Sequence, residues 1–292
     1  AEYIYTCRQM GIKILPPDIN RGVGSFSVDG GNIRYGLAAI KSIGRPVIDA
    51  IIRERTAGGT FKSLKDFMER LTGKEVNKKT IENFVKSGAF DSLRGTRKQQ
   101  MMVYIQIMDQ VNQERKNSMA GQMTLFDLVG EDQKQEFEIS YPDVGEYQKE
   151  TLLAFEKEVL GVYLSGHPLE EYEEKWRKSI SATTLDFQLD EETGHTKVRD
   201  GAKEIVGGMI TSKTIKYTKN NKTMAFFTVE DLMGTVEVVV FPRDYEKNQA
   251  YIQEDNKVFV RGRVSEEDDN ASKLICEEVI PFEQTKRELW IQ

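Results

Sequence analysis

The sequence is poor in the residues from which catalytic and metal centres are usually built. It holds two cysteines and two histidines among 292 residues, and Cys7 and Cys276 lie near opposite ends of the chain. Neither His167 nor His195 has a partner at a spacing typical of metal ligands or of a general base. We therefore expect no disulfide, metal site, cofactor or catalytic residue in this chain, and we expect the reduced cysteines of a cytoplasmic protein.

Long apolar runs are also missing. No run approaches the roughly 18 residues of a membrane-spanning helix, and no signal-peptide pattern opens the sequence. With 39% hydrophobic and 30% charged residues, the composition is typical of a soluble globular protein with no membrane partner. The length exceeds one core of ordinary size, so we expect two or more domains. The chain begins in a helical pattern without methionine, from which we expect a segment of a longer protein.

The chain has no overall excess of basic residues, but its charge is unevenly distributed. Residues 1–129 hold 20 Lys and Arg against 13 Asp and Glu, whereas residues 130–292 hold 21 against 34. The net charge of −6 thus combines a basic first part with an acidic second part. This asymmetry indicates that only particular surfaces meet phosphate groups.

A turn between two predicted helices has the residue types that favour DNA binding. The pattern Ile40-Lys41-Ser42-Ile43-Gly44 is similar to the hairpin of a helix-hairpin-helix motif, and Pro46 opens the second helix. Gly44 is predicted to let the backbone turn tightly towards a phosphate, which the N–H groups at the helix start would hold. The predicted duplex DNA contacts are Lys41, Ser42, Ile43, Gly44 and Arg45, with Lys78 and Lys79 at a later helix start. The alternatives are an ordinary corner between helices and a solvated basic face.

A short apolar cluster is isolated in polar, loop-prone sequence between about Lys116 and Gly145. Such side chains either pack on a neighbouring domain or fill a pocket of another protein. The spacing of Gln122, Leu125 and Phe126 resembles the peptide that bacterial replication proteins insert into the sliding clamp. The resemblance implies that the Gln122 amide bonds to the clamp backbone and that Leu125 and Phe126 enter an apolar pocket. Packing on the chain itself is the alternative.

The last third of the chain changes from helical to strand patterns. A short helical segment at 242–252 follows the third of five β-rich runs, which is the element order of an OB-fold barrel. These runs are residues 205–217, 223–230, 235–241, 257–264 and 273–282. We therefore expect an α+β multidomain protein, in which a helical helix-hairpin-helix module is followed by a five-stranded OB-fold β-barrel.

Single strands are bound by a basic groove and by exposed aromatic side chains on which bases stack. The predicted contacts on the barrel are Lys213, Lys216, Tyr217, Lys219, Lys222, Arg243, Arg261 and Arg263. We expect Phe226, Phe227 and Phe241 in the barrel core, because at least one of two adjacent strand residues faces inward. The acidic loop 266–270 would repel a strand at its rim and is interpreted as solvated rather than metal-binding. A scaffold barrel with little DNA affinity is the alternative.

Several runs resemble one protein family in the same order along the chain. They are residues 11–20, the hairpin pattern, residues 86–93, the clamp-type peptide and residues 160–169. Together they are similar to the C-terminal part of bacterial DNA polymerase III alpha subunits, the replicative polymerases of the C family. The predicted domains are the end of the fingers region (1–35), a tandem helix-hairpin-helix module (36–116), a linker with the clamp-type peptide (117–145), a helical connector (146–194), the OB-fold (195–284) and a tail (285–292).

The resemblance implies a cytoplasmic part of a replicase that binds duplex DNA, single-stranded template, the sliding clamp and other replicase subunits. Polymerases of that family are nucleotidyltransferases that use Mg²⁺ and acidic residues of a preceding palm domain. Nothing here matches those residues, so we expect no nucleotide incorporation by this chain alone. A junction-processing or ligase-type protein is a rival, although its barrel would precede the hairpins. A tRNA-binding protein is another, but it leaves the hairpin pattern and clamp-type peptide unexplained.

Overall fold

A computed structural model describes residues 2–71, 76–119, 139–190, 193–266 and 271–284. The chain divides into two compact units. The helical unit is Cys7–Gly166, and the barrel unit combines Ala1–Thr6 with His167–Gln292.

The first part of the chain contains one helix and a small sheet. Helix α1 (Glu2–Gln9) is followed by β1 (Ile14–Leu15), β2 (Ser27–Asp29) and β3 (Asn32–Arg34). Strand β3 pairs in parallel with β1 and antiparallel with β2. The tip of the β2–β3 hairpin has two glycines, Gly30 and Gly31, with φ of 58° and 80°.

Five α-helices make up most of the described remainder of the helical unit. They are α2 (Arg45–Gly58), α3 (Leu64–Leu71), α4 (Lys78–Ser87), α5 (Arg97–Met119) and α6 (Lys149–Leu160). Of the two helices predicted around the turn at 40–44, the first is only a 3-10 turn, Leu37–Ala39. Helix α6 is followed by its C-cap Gly161, whose φ of 76° lets its N–H return to the Lys157 carbonyl.

Buried phenylalanine rings fill the core between α3, α4 and the segment before α5. Phe67 meets Phe61, Phe84 and Phe90 with ring centroids 5.0, 5.9 and 5.0 Å apart. All three contacts are edge-to-face, an arrangement that aromatic pairs favour. The four phenylalanine rings therefore belong to one core.

A buried ion-pair network connects α5 with α6. The Arg97 guanidinium donates to the Asp91 carboxylate at 2.7 and 2.9 Å and to Glu156 Oε1 at 3.3 Å. Glu156 is 1% exposed, and its other oxygen accepts the N–H groups of Leu164 and Ser165 at 2.9 Å. Burial alone would lower the pKa of Arg97, but the hydrogen bonds and charges of Asp91 and Glu156 raise it. Each buried charge is thus stabilised by several partners.

In its described residues, the barrel unit has five strands and two α-helices after residue 167. They are α7 (Glu173–Ser179), β4 (Lys203–Tyr217), β5 (Thr223–Glu230), β6 (Thr235–Val240), α8 (Pro242–Asn248), β7 (Lys257–Ser265) and β8 (Lys273–Pro281). The strands close into a barrel in the order β4-β5-β6-β8-β7, with β6 and β8 parallel. This arrangement confirms the predicted five-stranded OB-fold barrel with its helix after the third strand.

Alternate strand residues supply the barrel interior. Val206, Ile210, Phe227 and Val238 are among its buried side chains. Cys276 also lies there, and burial raises the pKa of its thiol to about 12. The thiol is therefore protonated near neutral pH and acts as an apolar packing group.

Replacing Arg97 by methionine should destabilise the helical unit strongly. The change leaves Glu156 as a buried carboxylate without its guanidinium, so the free energy of unfolding should fall by about 3–5 kcal/mol. Arg53→Met is the matched control, since Arg53 is two-thirds exposed, and it should change the value by less than about 0.5 kcal/mol. Urea unfolding followed by the helical circular dichroism signal measures both. Equal stability of the two variants would contradict the structural role of the network.

Candidate nucleic-acid interface

The turn before α2 takes its sharp bend at Ser42. The Ile43 N–H donates to the Ile40 carbonyl at 3.2 Å, and Ser42 between them has a φ of 64°. Gly44 has φ −84° and ψ 160°, an extended conformation that any residue can adopt. The prediction that Gly44 provides the tight turn is therefore wrong. Ser42 adopts the left-handed conformation, which costs a residue with a Cβ about 1–2 kcal/mol.

Three residues of this turn, Ser42, Gly44 and Arg45, are exposed. Within the described ranges, nothing accepts the N–H groups of Ser42, Gly44 and Arg45. Gly44 is the N-cap of α2 and has no side chain with which to cap it. A Cβ at Gly44 would touch only the ring of Pro46, at 3.5 Å, so the space above the turn is open. Unpaired N–H groups at the positive end of a helix dipole favour a bound anion.

The side chains of the turn divide into exposed cations and a buried apolar group. Lys41 and Arg45 are exposed, and neither has a carboxylate partner in the part of the chain that the structure describes. Ile43 is 7% exposed and packs into the core. The Ile43 side chain is therefore not accessible to a ligand. Only the backbone of this predicted contact residue could take part in binding.

Two other helices, α6 and α4, form hydrogen bonds with the turn. The Lys41 N–H donates to the Val159 carbonyl of α6 at 2.8 Å. The Lys41 carbonyl accepts from Asn83 Nδ2 of α4 at 2.7 Å, and Asn83 is 1% exposed. The sequence-based prediction did not include Asn83. In the sequence, the only indication of a role for Asn83 is its amide side chain among the apolar positions of α4, between Ile81 and Phe84.

Lys78 and Lys79 lie in a different environment from the turn. Both are exposed at the start of α4, where the Asn77 side chain already accepts the Thr80 N–H at 3.0 Å. Lys78 lies 3.9 Å from Asp109, and Lys79 lies 3.2 Å from Glu82. These contacts fit the solvated basic face better than they fit a second phosphate site.

On the barrel, two of the predicted cations are paired with carboxylates. Arg261 contacts Glu278 at 2.8 Å, and Arg263 Nε donates to Glu277 at 3.0 Å. In contrast, no carboxylate of the described residues pairs with any of four other predicted cations. These are Lys216, Lys219, Lys222 and Arg243, all of which are exposed. The charges of the two β7 arginines are therefore neutralised by carboxylates of β8.

The barrel aromatics are only partly in the core. Phe227 is buried in the interior as predicted. The prediction is wrong for Phe226, which is only half-buried and has Lys216 Nζ 4.7 Å from its ring centroid. It is also wrong for Phe241, which is 48% exposed because β6 has ended and this residue caps α8. The barrel thus offers more accessible aromatic surface than the alternation alone suggested.

Other predicted features fall outside the described residues or lack a functional geometry. Gln122, Leu125 and Phe126 lie outside the described ranges, as do residues 267–270 of the acidic loop. His167 is buried, and its Nδ1 accepts the Leu169 N–H at 3.1 Å. Nowhere in the described part do three His, Cys, Asp or Glu side chains gather as metal ligands would. None of the helices there has both the length and the apolar character of a membrane span.

Comparison with family models agrees with this architecture. Residues 11–100 match the helix-hairpin-helix motif, and residues 205–282 match the OB-fold nucleic acid binding domain. The fold and the turn together define a protein of the helix-hairpin-helix and OB-fold class. The predicted fold class is confirmed.

Comparison with curated proteins finds similar sequences among DNA polymerase III alpha subunits. The chain is 35% identical to DNA polymerase III subunit alpha of Borreliella burgdorferi, 34% to that of Mycobacterium leprae and 33% to that of Escherichia coli K12. The matches cover 97%, 96% and 96% of this chain but 24%, 23% and 24% of those proteins. The chain thus corresponds to the helix-hairpin-helix and OB-fold region of DNA polymerase III alpha subunits, and it spans about a quarter of their length.

Replacing Ser42 by glycine should stabilise the turn. Glycine adopts a φ of 64° without a steric penalty, so the free energy of unfolding should rise by up to about 1 kcal/mol. Ser42→Val should lower it, since a β-branched residue is strained in this conformation. Chemical denaturation of the unmodified chain and of the glycine and valine variants measures the order of their free energies of unfolding. A glycine variant less stable than the serine protein would show that the left-handed turn is not the strained element.

Proposed function

We propose that this chain is the DNA-binding and clamp-binding part of a replicative polymerase, and that the turn before α2 holds the phosphate backbone of duplex DNA. The observation that supports this most directly is the group of N–H donors at Ser42, Gly44 and Arg45 that have no acceptor within the described residues. They lie between two exposed cations, Lys41 and Arg45. A phosphate seated there would accept hydrogen bonds from the backbone and would be attracted by both side chains.

The turn is suited to sequence-independent binding. Its donors belong to the backbone, and phosphate contacts position a duplex without reading its bases. The turn is also preorganised, because Asn83 and Val159 hold the two peptide groups of Lys41 and because Ile43 is buried. Binding therefore requires little ordering of the backbone, which favours affinity.

Two further parts of the proposed function concern the barrel and the clamp-type peptide. The barrel would hold single-stranded template through its exposed cations and aromatic side chains. Gln122, Leu125 and Phe126 would bind the sliding clamp, as the spacing of these residues implies. Together the three elements would keep a polymerase on its template and on its clamp.

A pair of arginines on α2 tests the duplex site. Arg45 lies in the first turn of the helix, and Arg53 lies eight residues further, about 12 Å along the axis. Arg45→Ala should weaken duplex binding equally on unrelated sequences and reduce the salt slope by about one unit. Arg53→Ala removes the same charge and should leave both quantities unchanged. Fluorescence anisotropy with two unrelated duplexes over a salt series measures the duplex affinity and its salt slope.

Gly44→Val separates the backbone donors from the side-chain charge. The extended conformation of Gly44 accepts a Cβ, so the variant should melt at nearly the same temperature as the unmodified chain. Its methyl groups would cover the open N–H groups and should abolish most duplex binding. Unchanged binding by a folded Gly44→Val protein, or an equal loss for Arg45→Ala and Arg53→Ala, would contradict the proposed phosphate site.

The clamp-type peptide is tested by comparing clamp affinity with thermal stability. Phe126→Ala removes a large aromatic group from the proposed contact and should weaken binding to purified bacterial sliding clamp by about 2–4 kcal/mol. Leu128→Ala is the matched control, because Leu128 lies in the same apolar cluster but outside the Gln-x-x-Leu-Phe spacing. Calorimetric titration and melting curves measure both properties. Unchanged affinity with a lower melting temperature would mean that Phe126 packs on the chain itself.

A further inference from the structure

The turn before α2 has the geometry of a type II β-turn. The Ile43 N–H donates to the Ile40 carbonyl at 3.2 Å, so the four residues from Ile40 to Ile43 form the turn. Ser42 is the third of them and has a φ of 64°, whereas Lys41 before it has no positive φ. A positive φ at the third residue alone distinguishes type II from the commoner type I, in which both central residues have negative φ.

Serine at the third position favours the other type of turn. Type II requires a positive φ there, which glycine adopts freely and serine adopts only at a steric cost. The two types differ by a rotation of the peptide group between the second and third residues, by roughly 150° in one ψ and 170° in the next φ. Here that peptide group consists of the Lys41 carbonyl and the Ser42 N–H. The residues of the turn therefore do not by themselves account for its form.

A buried amide outside the turn holds this peptide group. Asn83 Nδ2 of α4 donates to the Lys41 carbonyl at 2.7 Å, and the Asn83 side chain is buried. In a type I turn the peptide group is rotated, so the Lys41 carbonyl would point away from the amide. The hydrogen bond is thus available only in the type II form, where it offsets the cost of the left-handed Ser42.

Asn83 has no comparable role within its own helix. It lies among the buried apolar side chains of α4, which include Ile81, Phe84 and Val85. In the part of the chain that the structure describes, the Lys41 carbonyl is the only partner of its amide. A buried amide contributes to stability only through its hydrogen bonds. An apolar residue of the same shape would serve the packing of α4 equally well, so the amide serves the turn.

The type of turn decides where the Ser42 N–H points. In a trans peptide group the carbonyl and the N–H point in opposite directions. The Lys41 carbonyl is directed at the buried Asn83 amide, so the N–H of the exposed Ser42 is directed away from it. Rotation to type I would reverse both directions and withdraw this donor from the proposed phosphate. The hydrogen bond from the Lys41 N–H to Val159 would remain, since it belongs to the preceding peptide group.

We infer that Asn83 is a positioning residue of the duplex site, whose amide holds the turn before α2 in the type II form that presents the Ser42 N–H to a phosphate. Asn83 itself does not touch DNA. The inference rests on the proposed function, because this turn is the proposed phosphate site. It makes duplex affinity depend on a buried side chain 42 residues from Lys41 in the sequence.

Removing the amide donor tests this role in the full chain. Asn83→Leu keeps the shape of the side chain, and type I should then prevail in the turn. Duplex affinity should fall about tenfold, as expected for the loss of one hydrogen bond to a charged group. The salt slope should not change, because Lys41 and Arg45 still meet phosphates. Asn83→Ala, which adds no volume to the core, should give the same result.

Glycine at position 42 should rescue the variant. Glycine adopts a positive φ without a steric cost, so a Ser42→Gly/Asn83→Leu protein should keep the type II form without the amide. Its duplex affinity should return to within about twofold of that of the unmodified chain. A merely structural role for Asn83 in the core of α4 gives no reason for rescue by a change in the turn.

Gln100→Met is the matched control. Gln100 is another fully buried amide of the helical unit, and its Nε2 donates to the Phe90 carbonyl at 3.1 Å, outside the turn before α2. The variant should leave duplex affinity unchanged. Fluorescence anisotropy with a labelled duplex over a salt series gives the affinities, and melting curves verify folding. Nuclear Overhauser contacts report the turn, because the Ser42 amide proton lies close to Lys41 Hα in type II and to the Lys41 amide proton in type I.

The possible failures are distinct. If folded Asn83→Leu keeps the type II contacts or the affinity of the unmodified chain, the positioning role is wrong although the phosphate site stands. The same holds if Ser42→Gly does not rescue it, or if Gln100→Met loses as much affinity. If the unmodified chain binds no duplex at low salt, the proposed function fails together with the inference.

Discussion

The position of the proposed DNA-binding turn depends on a buried guanidinium in the helical unit. Arg97 is stable in the core only because Asp91 and Glu156 receive its hydrogen bonds. Glu156 belongs to α6, and the same helix presents the Val159 carbonyl that accepts the Lys41 N–H. The ion-pair network therefore fixes the helix on which one side of the turn rests, although no member of the network belongs to the turn.

The two proposed sites solve the same problem with different chemistry. The turn before α2 offers backbone donors and point charges, which suit the closely spaced phosphates of a duplex. The outer face of the barrel offers aromatic rings, which suit the exposed bases of a single strand because every base has a stacking face. Neither kind of contact reads sequence.

The parts of the structure that follow local patterns were predictable, and the parts that depend on pairing were not. The bounds of β5 agree with the prediction, because alternation and turn residues are local signals. The sequence did not reveal that Ser42 rather than Gly44 takes the left-handed φ. Nor did it reveal that Glu277 and Glu278 neutralise the β7 arginines, since that requires the register between two strands. Asn83 was missed because its partner is 42 residues away.

The central claim is that backbone N–H groups of the turn before α2 bind the phosphates of duplex DNA. Amide resonances in the ¹⁵N-labelled full chain test it most directly. On titration with a short duplex at low salt, the amide signals of Ser42, Gly44 and Arg45 should shift most, and the shifts should reverse as salt is added. Amide signals in this turn that stay unchanged while the duplex binds would contradict the claim.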